Sequence, residues 1–209
     1  LLSTATSFLA GLIFRFGYRN LDFEESDLKA VAIIYTMSLA AYHFGEYMST
    51  AYFHSATCSW EGFMLNHSRE YTIAIVLSYI ELGIKFILLQ FVDINPIFKI
   101  ALPVGLSLIG VGHLFRMGGL ISGGTNFTHQ IRWKDEKDHI LVVGGFFSIC
   151  RHPGYFGWFV WSVGTQILIC NPVCIFGFAK AARGFFSDRI DAEEYSLYEK
   201  FKTSYVEYS

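Results

Sequence analysis

Six apolar runs dominate this chain, and each approaches the length of a membrane-spanning helix. A helix needs about 20 mostly apolar residues to cross a hydrocarbon core of about 30 Å. The chain is 53% hydrophobic and only 16% charged, a composition that soluble domains rarely have. We therefore predict an all-α fold, a polytopic transmembrane helical bundle, with helices over about residues 1–18, 29–51, 71–92, 97–121, 155–170 and 172–187.

Two pairs of these runs are separated by very short breaks. Residues 92–96 separate the third run from the fourth, and Asn171-Pro172 separates the last two. A helix stop followed by a proline restart predicts a helical hairpin in each case. The last two runs are short for full spans, so the second hairpin is expected to hold tilted helices or one that does not cross completely.

Polar residues are concentrated between the hairpins, from Ser122 to Cys150, and in the tail after about residue 187. A polar connection of this length is uncommon unless it is functional or disordered. If both segments lie on one face, most basic residues lie there too, which makes that face cytosolic by the positive-inside rule. We expect the chemistry of the protein to take place where this loop and the tail meet. The basic residues are Arg69, Arg132, Lys134, Lys137, Arg151, Arg189, Lys200 and Lys202.

A charged turn, Cys150-Arg151-His152-Pro153-Gly154-Tyr155, opens the fifth run. Proline suits the first turn of a helix, where its missing N–H is no loss, so Pro153 predicts the start of a helix. Arg151 and His152 then lie at a membrane edge, where charges are costly unless they face water, a partner or a bound molecule. On these residues alone, a snorkelling interfacial anchor is the simpler explanation.

Seven ionisable residues fall inside or at the ends of apolar runs: Glu46, Glu81, Lys85, His113, Arg116, Lys180 and Arg183. Such groups are candidates for function when a partner can be named. Glu81 and Lys85 are four residues apart in the order that favours an intrahelical ion pair, so we expect a structural role for them. Arg116 has no acidic neighbour in its run, and we expect it to contact a ligand or the distant Glu193 and Glu194.

Charge and cysteine content exclude several functions. The formal net charge is −2, so nothing indicates nucleic-acid binding. The four cysteines are scattered, without a disulfide framework or metal-ligand spacing, so we expect no metal. Arg189 and Glu193, four residues apart in the tail, would on spacing alone form a solvated salt bridge worth less than about 1 kcal/mol. Partners are therefore to be sought in the lipid bilayer and among small molecules.

Several segments after about residue 40 are distinctive when taken together. They are Tyr42-His43-Phe44-Gly45-Glu46-Tyr47, Leu65-Asn66-His67-Ser68, Asn126-Phe127-Thr128-His129, Arg151-His152-Pro153-Gly154-Tyr155, Cys170-Asn171-Pro172 and Phe185-Phe186-Ser187-Asp188-Arg189. Together they resemble the isoprenylcysteine carboxyl methyltransferase family, membrane enzymes that methylate C-terminal prenylated cysteines. The Arg-His-Pro turn alone is also found in phosphatidylethanolamine methyltransferases and membrane sterol reductases. The Leu-Asn-His-Ser and Cys-Asn-Pro segments favour the isoprenylcysteine carboxyl methyltransferase family over these two enzyme classes.

The resemblance implies a cofactor, S-adenosylmethionine, with S-adenosylhomocysteine as its product. It implies a C-terminal cofactor-binding region formed by the cytosolic loop and tail, and it implies that Arg189 faces the substrate carboxylate as a catalytic residue. Because a guanidinium can bind a carboxylate in a bidentate manner, Arg116 is a second candidate clamp, and Glu193 is expected to hold Arg189 or receive the ammonium group of the cofactor. The implied cofactor contacts come from the polar loop, the Arg-His-Pro turn and the tail: Arg132, His139, Ile140, Leu141, Val142, Phe147, His152, Pro153, Gly154, Tyr155 and Glu193.

This chain departs from the family pattern at three places. Arg132 stands where relatives carry glutamine, and Phe147 stands where tyrosine is usual, which removes a hydroxyl but keeps a ring. Residues 179–184 lack the large apolar residues that are usual there.

The implied substrate is the prenylated C-terminal cysteine of small GTPases and similar proteins, methylated at the endoplasmic reticulum membrane with the active site facing the cytosol. No general base is required, because a C-terminal carboxylate with a pKa of about 3.3 to 3.7 is ionised at neutral pH. We expect residues 1–70 to hold N-terminal membrane helices and residues 71–209 to form the catalytic core. A lateral gap lined by the fourth and fifth runs is expected to admit the prenyl chain.

Three other functions remain open on the residues alone. A phospholipid N-methyltransferase would take an amine acceptor, and an NADPH-dependent membrane sterol reductase would need further basic residues for the 2′-phosphate. A structural or scaffolding membrane protein would leave the long polar loop and the Glu193-Glu194 pair without a role.

Overall fold

The computed structural model describes residues 25–65, 68–88, 91, 95–128 and 139–209. Within this part of the chain all regular structure is helical. The α-helices are α1 (Glu25–Phe53), α2 (Arg69–Leu88), α3 (Asn95–Gly123), α4 (Pro153–Leu168), α5 (Pro172–Phe201) and α6 (Thr203–Tyr208). Short 3-10 turns lie at Ser55–Thr57, Trp60–Phe63, Gly124–Asn126 and Gly145–Ser148. The first predicted run, 1–18, lies outside the described residues.

Helices α1 to α5 correspond to the five predicted runs from residue 29 onward, so the all-α prediction is confirmed. Pro153 and Pro172 lie at the first positions of α4 and α5, as the sequence predicts. Helix α5 runs on to Phe201, well past the predicted end of its apolar run at residue 187. The charged tail is therefore a continuous helix that carries polar side chains away from the apolar half of α5.

Two of the described helices are long and apolar enough to cross a membrane by length and composition: Arg69–Leu88 and Ile97–Asn126. Helix α4 has 16 residues, which rise about 24 Å, less than the roughly 30 Å of a hydrocarbon core. This agrees with the expectation that the second hairpin does not consist of two full spans.

The most extensive packing is between α3 and α4, which run antiparallel with a glycine at each level of contact. A Cβ added at Gly112 would lie 2.3 Å from the backbone nitrogen of Trp161, and one at Gly157 would lie 2.3 Å from that of Arg116. Small residues that let backbones approach closely are typical of helix interfaces in membranes. The residues that face each other along the two helices are Gly105 and Leu168, Ile109 and Gly164, Gly112 and Trp161, Arg116 and Gly157, and Gly119 and Gly154.

The first predicted hairpin is not formed as a closely packed pair. The main partner of α3 is α4, whereas α2 packs chiefly against α5. The glycine positions on α3 explain this choice, because they offer α4 a closer approach than the bulky apolar side chains of α2 allow. The second predicted hairpin, α4 with α5, is formed. Helices α1, α2, α3 and the end of α4 meet in one apolar core that includes Tyr35, Leu82, Phe98 and Leu168.

The turn between α4 and α5 is held by polar side chains of α2. Glu81 accepts hydrogen bonds from the backbone N–H groups of Val173 (3.0 Å) and Cys174 (2.9 Å), which are otherwise unsatisfied at the start of a helix. Lys85 donates to the carbonyl of Ile169 at 2.9 Å and to the side chain of Asn171. Glu81 and Lys85 therefore have the structural role expected of them. The expected role was an intrahelical ion pair, whereas the hydrogen bonds of both side chains are made to this turn.

The glycine contacts predict a sharp difference between two nearby glycines of α3. Gly112→Ala is expected to lower stability by about 1 to 3 kcal/mol, because the added methyl group overlaps the backbone of α4. Gly110→Ala is the matched control, since nothing lies within 4 Å of its added Cβ. It is expected to leave stability unchanged or raise it by up to about 1 kcal/mol. Thermal unfolding of the purified protein in detergent measures both, and equal effects would contradict the packing argument.

Candidate active site

The end of α3 supports the loop that leads to the Arg-His-Pro turn. The Phe146 backbone N–H donates to the Ser122 hydroxyl at 3.2 Å, and the Phe146 ring packs where a side chain at Gly118 would stand. Gly145 has a φ of +62°, a left-handed conformation that favours glycine. A Cβ there would also lie 2.4 Å from the Ser122 hydroxyl. The loop is therefore fixed on α3 before the chain enters α4.

The charged tail binds back onto this turn. Glu194 accepts hydrogen bonds from Arg151 at 2.9 Å and from His152 at 2.6 Å. The Tyr208 hydroxyl donates to the Phe147 carbonyl at 2.6 Å. Burial by itself raises the pKa of Glu194, but the His152 hydrogen bond and the nearby charge of Arg151 outweigh it, so this pKa lies below its ordinary value. Loop, turn and tail thus form one unit, as the sequence predicts.

A cleft lies between the loop, the turn and the tail. All ten of the predicted cofactor contacts that the structure describes line it, together with Arg189: His139, Ile140, Leu141, Val142, Phe147, His152, Pro153, Gly154, Tyr155 and Glu193. Arg132, the remaining predicted contact, lies outside the described residues. The cleft encloses about 100 Å³, less than the roughly 300 to 1,000 Å³ usual for a site that buries a drug-sized ligand. A nucleoside-sized ligand therefore requires it to open further.

Aromatic rings stack along one side of this cleft. The Tyr155 ring stacks between His152, at 5.6 Å, and Phe186, at 5.0 Å. The Nε of Arg189 donates to the Tyr155 hydroxyl at 2.9 Å, and the guanidinium lies 5.9 Å from the ring centroids of Tyr155 and Phe185. Arg189 is thus positioned by aromatic groups of α4 and α5.

Glu193 points an acceptor into the cleft. Its Oε2 is buried without a hydrogen-bond partner and lies 3.7 Å from Nδ1 of His152. A buried carboxylate oxygen without a donor is costly, so this atom suits a cationic or N–H group of a ligand. Among the residues that the structure describes, no group of three His, Cys, Asp or Glu side chains could hold a metal ion.

A second, larger cavity of about 410 Å³ adjoins the cleft. Its wall along α5 follows one helical face, with Phe178, Ala181, Ala182, Phe185 and Phe186. Other lining residues come from α1, the start of α2, α3 and α4: Tyr42, His43, Glu46, Glu70, Tyr71, Ala74, Arg116, Tyr155 and Trp158. The expectation that a gap would be lined by the fourth and fifth runs is corrected in part: Arg116 of α3 and Tyr155 and Trp158 of α4 line the cavity, but α1, α2 and α5 supply most of its wall. The glycine contact of α3 with α4 leaves no room between those two helices.

Four residues line both cavities: Phe127, Thr128, Tyr155 and Arg189. The cleft and the apolar cavity are thus neighbours, and these four residues form the wall that they share. Ala181 and Phe185 on the rim of the apolar cavity are exposed, so this cavity opens sideways between α2 and α5.

Arg116 has a different partner from the one we expected. Its Nε and one terminal nitrogen bind the two oxygens of Glu46 on α1, at 2.6 and 2.9 Å. Its other terminal nitrogen donates to the Gly154 carbonyl at 3.3 Å, and the guanidinium lies 5.4 Å from the Phe127 ring centroid. The expected contact of Arg116 with Glu193 and Glu194 is wrong, because a carboxylate much nearer in space satisfies it and Glu194 binds the turn.

Several residues at the site were missed or left without a role by the sequence reasoning. Asn126 accepts a hydrogen bond from the Ile140 backbone at 3.0 Å, and His54 donates to the Phe127 carbonyl at 2.9 Å. Glu46 stood out as an acidic residue in an apolar run, but nothing in the sequence identified Arg116, 70 residues later, as its partner.

A family model described as the isoprenylcysteine carboxyl methyltransferase (ICMT) family matches residues 104–199. The chain is 39% identical to the protein-S-isoprenylcysteine O-methyltransferase of Xenopus laevis, over 83% of this chain and 59% of that relative. It is 37% identical to the enzyme of that name from Dictyostelium discoideum, covering 84% of this chain and 72% of the relative. It is 36% identical to protein-S-isoprenylcysteine O-methyltransferase A of Arabidopsis thaliana, over 83% of this chain and 86% of that relative.

The chain is also similar to a solved structure, that of the eukaryotic intramembrane Ras methyltransferase ICMT without a monobody. The TM-score is 0.76 and the sequence identity 35%, over 85% of this chain and 63% of that one. The chain spans less than two thirds of this structure and of the Xenopus relative.

The tail contacts predict a pH-dependent contribution of Glu194 to stability. At neutral pH, Glu194→Gln is expected to lower the unfolding midpoint by about 2 to 4 °C, the shift for about 1 kcal/mol in a chain of this size. Since the folded-state pKa is lowered, the contribution is complete above the ordinary value of about 4.3 and is lost as the pH falls through the folded-state value. The difference in unfolding midpoint between the wild type and the variant should therefore disappear below about pH 4.

Thermal unfolding from pH 3 to 7 measures this gap. Glu199→Gln, on the exposed surface of the same helix, is the matched control. A gap for Glu194→Gln that stays constant down to pH 3 would contradict the argument.

Proposed function

Because the chain belongs to the isoprenylcysteine carboxyl methyltransferase family, we propose that it is an integral membrane enzyme that methylates the α-carboxylate of a C-terminal prenylated cysteine. The methyl donor is S-adenosylmethionine, and the products are a methyl ester and S-adenosylhomocysteine. One observation carries the proposal: Tyr155 and Arg189 line both a polar cleft and an apolar cavity. A water-soluble donor and a lipid-soluble acceptor can therefore meet at one wall.

The residues of the cleft fit the donor. The buried Oε2 of Glu193 suits the ammonium group of its amino-acid part, and the flat faces of Tyr155 and Phe147 suit an adenine ring or a cationic sulfonium. When bound, S-adenosylmethionine supplies an electrophilic methyl group. The residues that would contact it are His139, Ile140, Leu141, Val142, His152, Pro153 and Gly154, which line the cleft. Arg132 is kept as a further candidate contact.

Arg189 is proposed to hold the acceptor carboxylate. Its Nε binds the Tyr155 hydroxyl in the wall that the cleft and the cavity share, and a guanidinium can bind a carboxylate in a bidentate manner. The carboxylate is already ionised, so the protein needs no general base and has to supply orientation and exclusion of water. Charge is neutralised when a carboxylate and a sulfonium become an ester and a thioether, and a dry site favours that change.

The apolar cavity is proposed to hold the prenyl chain. Each buried CH₂ group contributes about 0.8 kcal/mol to partition from water. The opening between α2 and α5 lets the chain enter from the bilayer. The protein partners are prenylated small GTPases and similar proteins, presented at the cytosolic face of the endoplasmic reticulum membrane. The bundle is polytopic in this proposal, and residues 71–209 form the catalytic core with Glu46 of α1 completing it.

Arg116 is proposed as a positioning residue in place of the second clamp. Its carboxylate-binding edge is occupied by Glu46, and it is almost fully buried. It contacts the Gly154 carbonyl in the first turn of α4 and the Phe127 ring in the shared wall. The Glu46–Arg116 pair therefore acts on the donor and acceptor through the backbone and ring it holds.

The role of Arg189 predicts a separation of binding from turnover. Arg189→Ala is expected to lower methylation of a farnesyl-cysteine substrate by about 100-fold, because the carboxylate loses its orientation. Binding of S-adenosylhomocysteine, measured by isothermal titration, should change by less than about threefold, since the cleft keeps its other contacts. Arg69→Ala is the control, because this exposed arginine lines neither cavity.

Several outcomes would contradict the proposal. Wild-type turnover in Arg189→Ala would rule out the clamp. Binding of NADPH in place of S-adenosylhomocysteine by the wild-type protein would indicate a reductase. Methylation of phosphatidylethanolamine in place of farnesyl-cysteine would indicate a phospholipid N-methyltransferase.

The positioning role predicts that a residue outside the cleft affects donor binding. Glu46→Gln is expected to weaken S-adenosylhomocysteine binding by about tenfold, because Arg116 loses a charge-assisted partner and its hold on Gly154 and Phe127. Glu61→Gln, on the exposed surface, is the control. In a double-mutant cycle with Arg116→Gln, the second substitution should add little to the first. Unchanged affinity in a stable Glu46→Gln protein would exclude the positioning role.

A further inference from the structure

Two basic residues lie on the outer face of α5 within its apolar half. Lys180 and Arg183 are three residues apart, so they share one side of the helix, and both are exposed. Within the described part of the chain neither makes a hydrogen bond or an ion pair with another residue.

The surroundings of these two cations are apolar and open. Val173 is 74% exposed and Phe176 is 77% exposed on the same half of α5. Nothing lies within 4 Å of a Cβ added at Gly177 or Gly184. Such a surface is typical of a helix that faces lipid, where an unpaired cation is costly.

The depth of the two residues follows from the contact of Glu81 with the start of α5. Glu81 lies 12 residues past Arg69 on α2, a rise of about 18 Å. Val173 lies at the level of Glu81, and α5 runs from there back toward the start of α2. Along α5, Lys180 therefore lies about 10 Å and Arg183 about 15 Å from the level of Glu81. Lys180 is then about 8 Å below the level of Arg69 and Arg183 about 3 Å below it, and long basic side chains can extend over such distances to lipid headgroups.

We propose that Lys180 and Arg183 together bind the phosphate of an anionic phospholipid in the leaflet at the cleft side of the bundle. Ala181 lies between them in sequence, is exposed, and lines the apolar cavity. The bound headgroup therefore lies beside the lateral opening of that cavity. The proposal rests on the membrane position of the bundle and is independent of the methyl transfer.

Native mass spectrometry of the full chain, purified in neutral detergent, tests the proposal with phosphatidylserine and phosphatidylcholine as separate probes. The wild-type protein is expected to prefer phosphatidylserine, and Lys180→Gln or Arg183→Gln should each weaken its binding by about fivefold. The double variant should lose about 25-fold. Lys99→Gln, which removes an exposed positive charge at the far end of the bundle, should bind as the wild type does.

Equal binding of the two lipids by the wild-type protein would overturn the proposal, as would a preference for phosphatidylserine that survives in the double variant. Displacement of phosphatidylserine by an equal concentration of inorganic phosphate would also overturn it, because the site would then take a free anion. Unchanged thermal unfolding of the variants in detergent confirms that their fold is intact.

Discussion

The backbone contact between α3 and α4 determines the position along the helix axes at which the first turn of α4 and the Arg-His-Pro turn face Arg116 and the two cavities. Because a glycine is present at each level, the helices approach closely, and Gly157 lies against the backbone of Arg116. This contact brings the first turn of α4 within reach of the Arg116 guanidinium. A side chain at Gly157 would separate the helices, and the Arg-His-Pro turn would lose its position against the loop and the tail.

The buried pair of Glu46 and Arg116 joins a third helix to this contact. Burying two charges is costly, and the cost is recovered only when geometry is good and the remaining donors are satisfied. Both carboxylate oxygens are used, one terminal nitrogen binds the Gly154 carbonyl, and the guanidinium faces an aromatic ring. An apolar pair could hold α1 against α3, but it would not orient the Gly154 carbonyl. Directional hydrogen bonds therefore give this pair a role that packing alone would not provide.

The sequence predicts those features that depend on neighbouring residues. Apolar runs, Pro153 and Pro172 locate helices α1 to α5, since helix periodicity and proline positions are local signals. The loop, turn and tail also come together as predicted, because each carries its polar residues in one short segment. The Glu46–Arg116 pair and the packing of α3 against α4 could not be predicted this way. They depend on which helices meet. The short connection between the runs 71–92 and 97–121 predicted that α3 packs against α2, whereas its main partner is α4. The wall of the apolar cavity was mispredicted for the same reason.

Two arginines lie near the shared wall, and their surroundings favour different roles. Arg116 is almost fully buried and already binds a carboxylate in a bidentate manner, so a second carboxylate would have to displace Glu46 or share its partner in a dry site. Arg189 is half-buried and lies against aromatic rings in the wall between the cleft and the cavity. Aromatic faces hold a guanidinium in place without neutralising its charge. In the proposed reaction a ligand carboxylate arriving from the apolar cavity would therefore meet the guanidinium of Arg189, whereas Arg116 is proposed to keep the wall in shape.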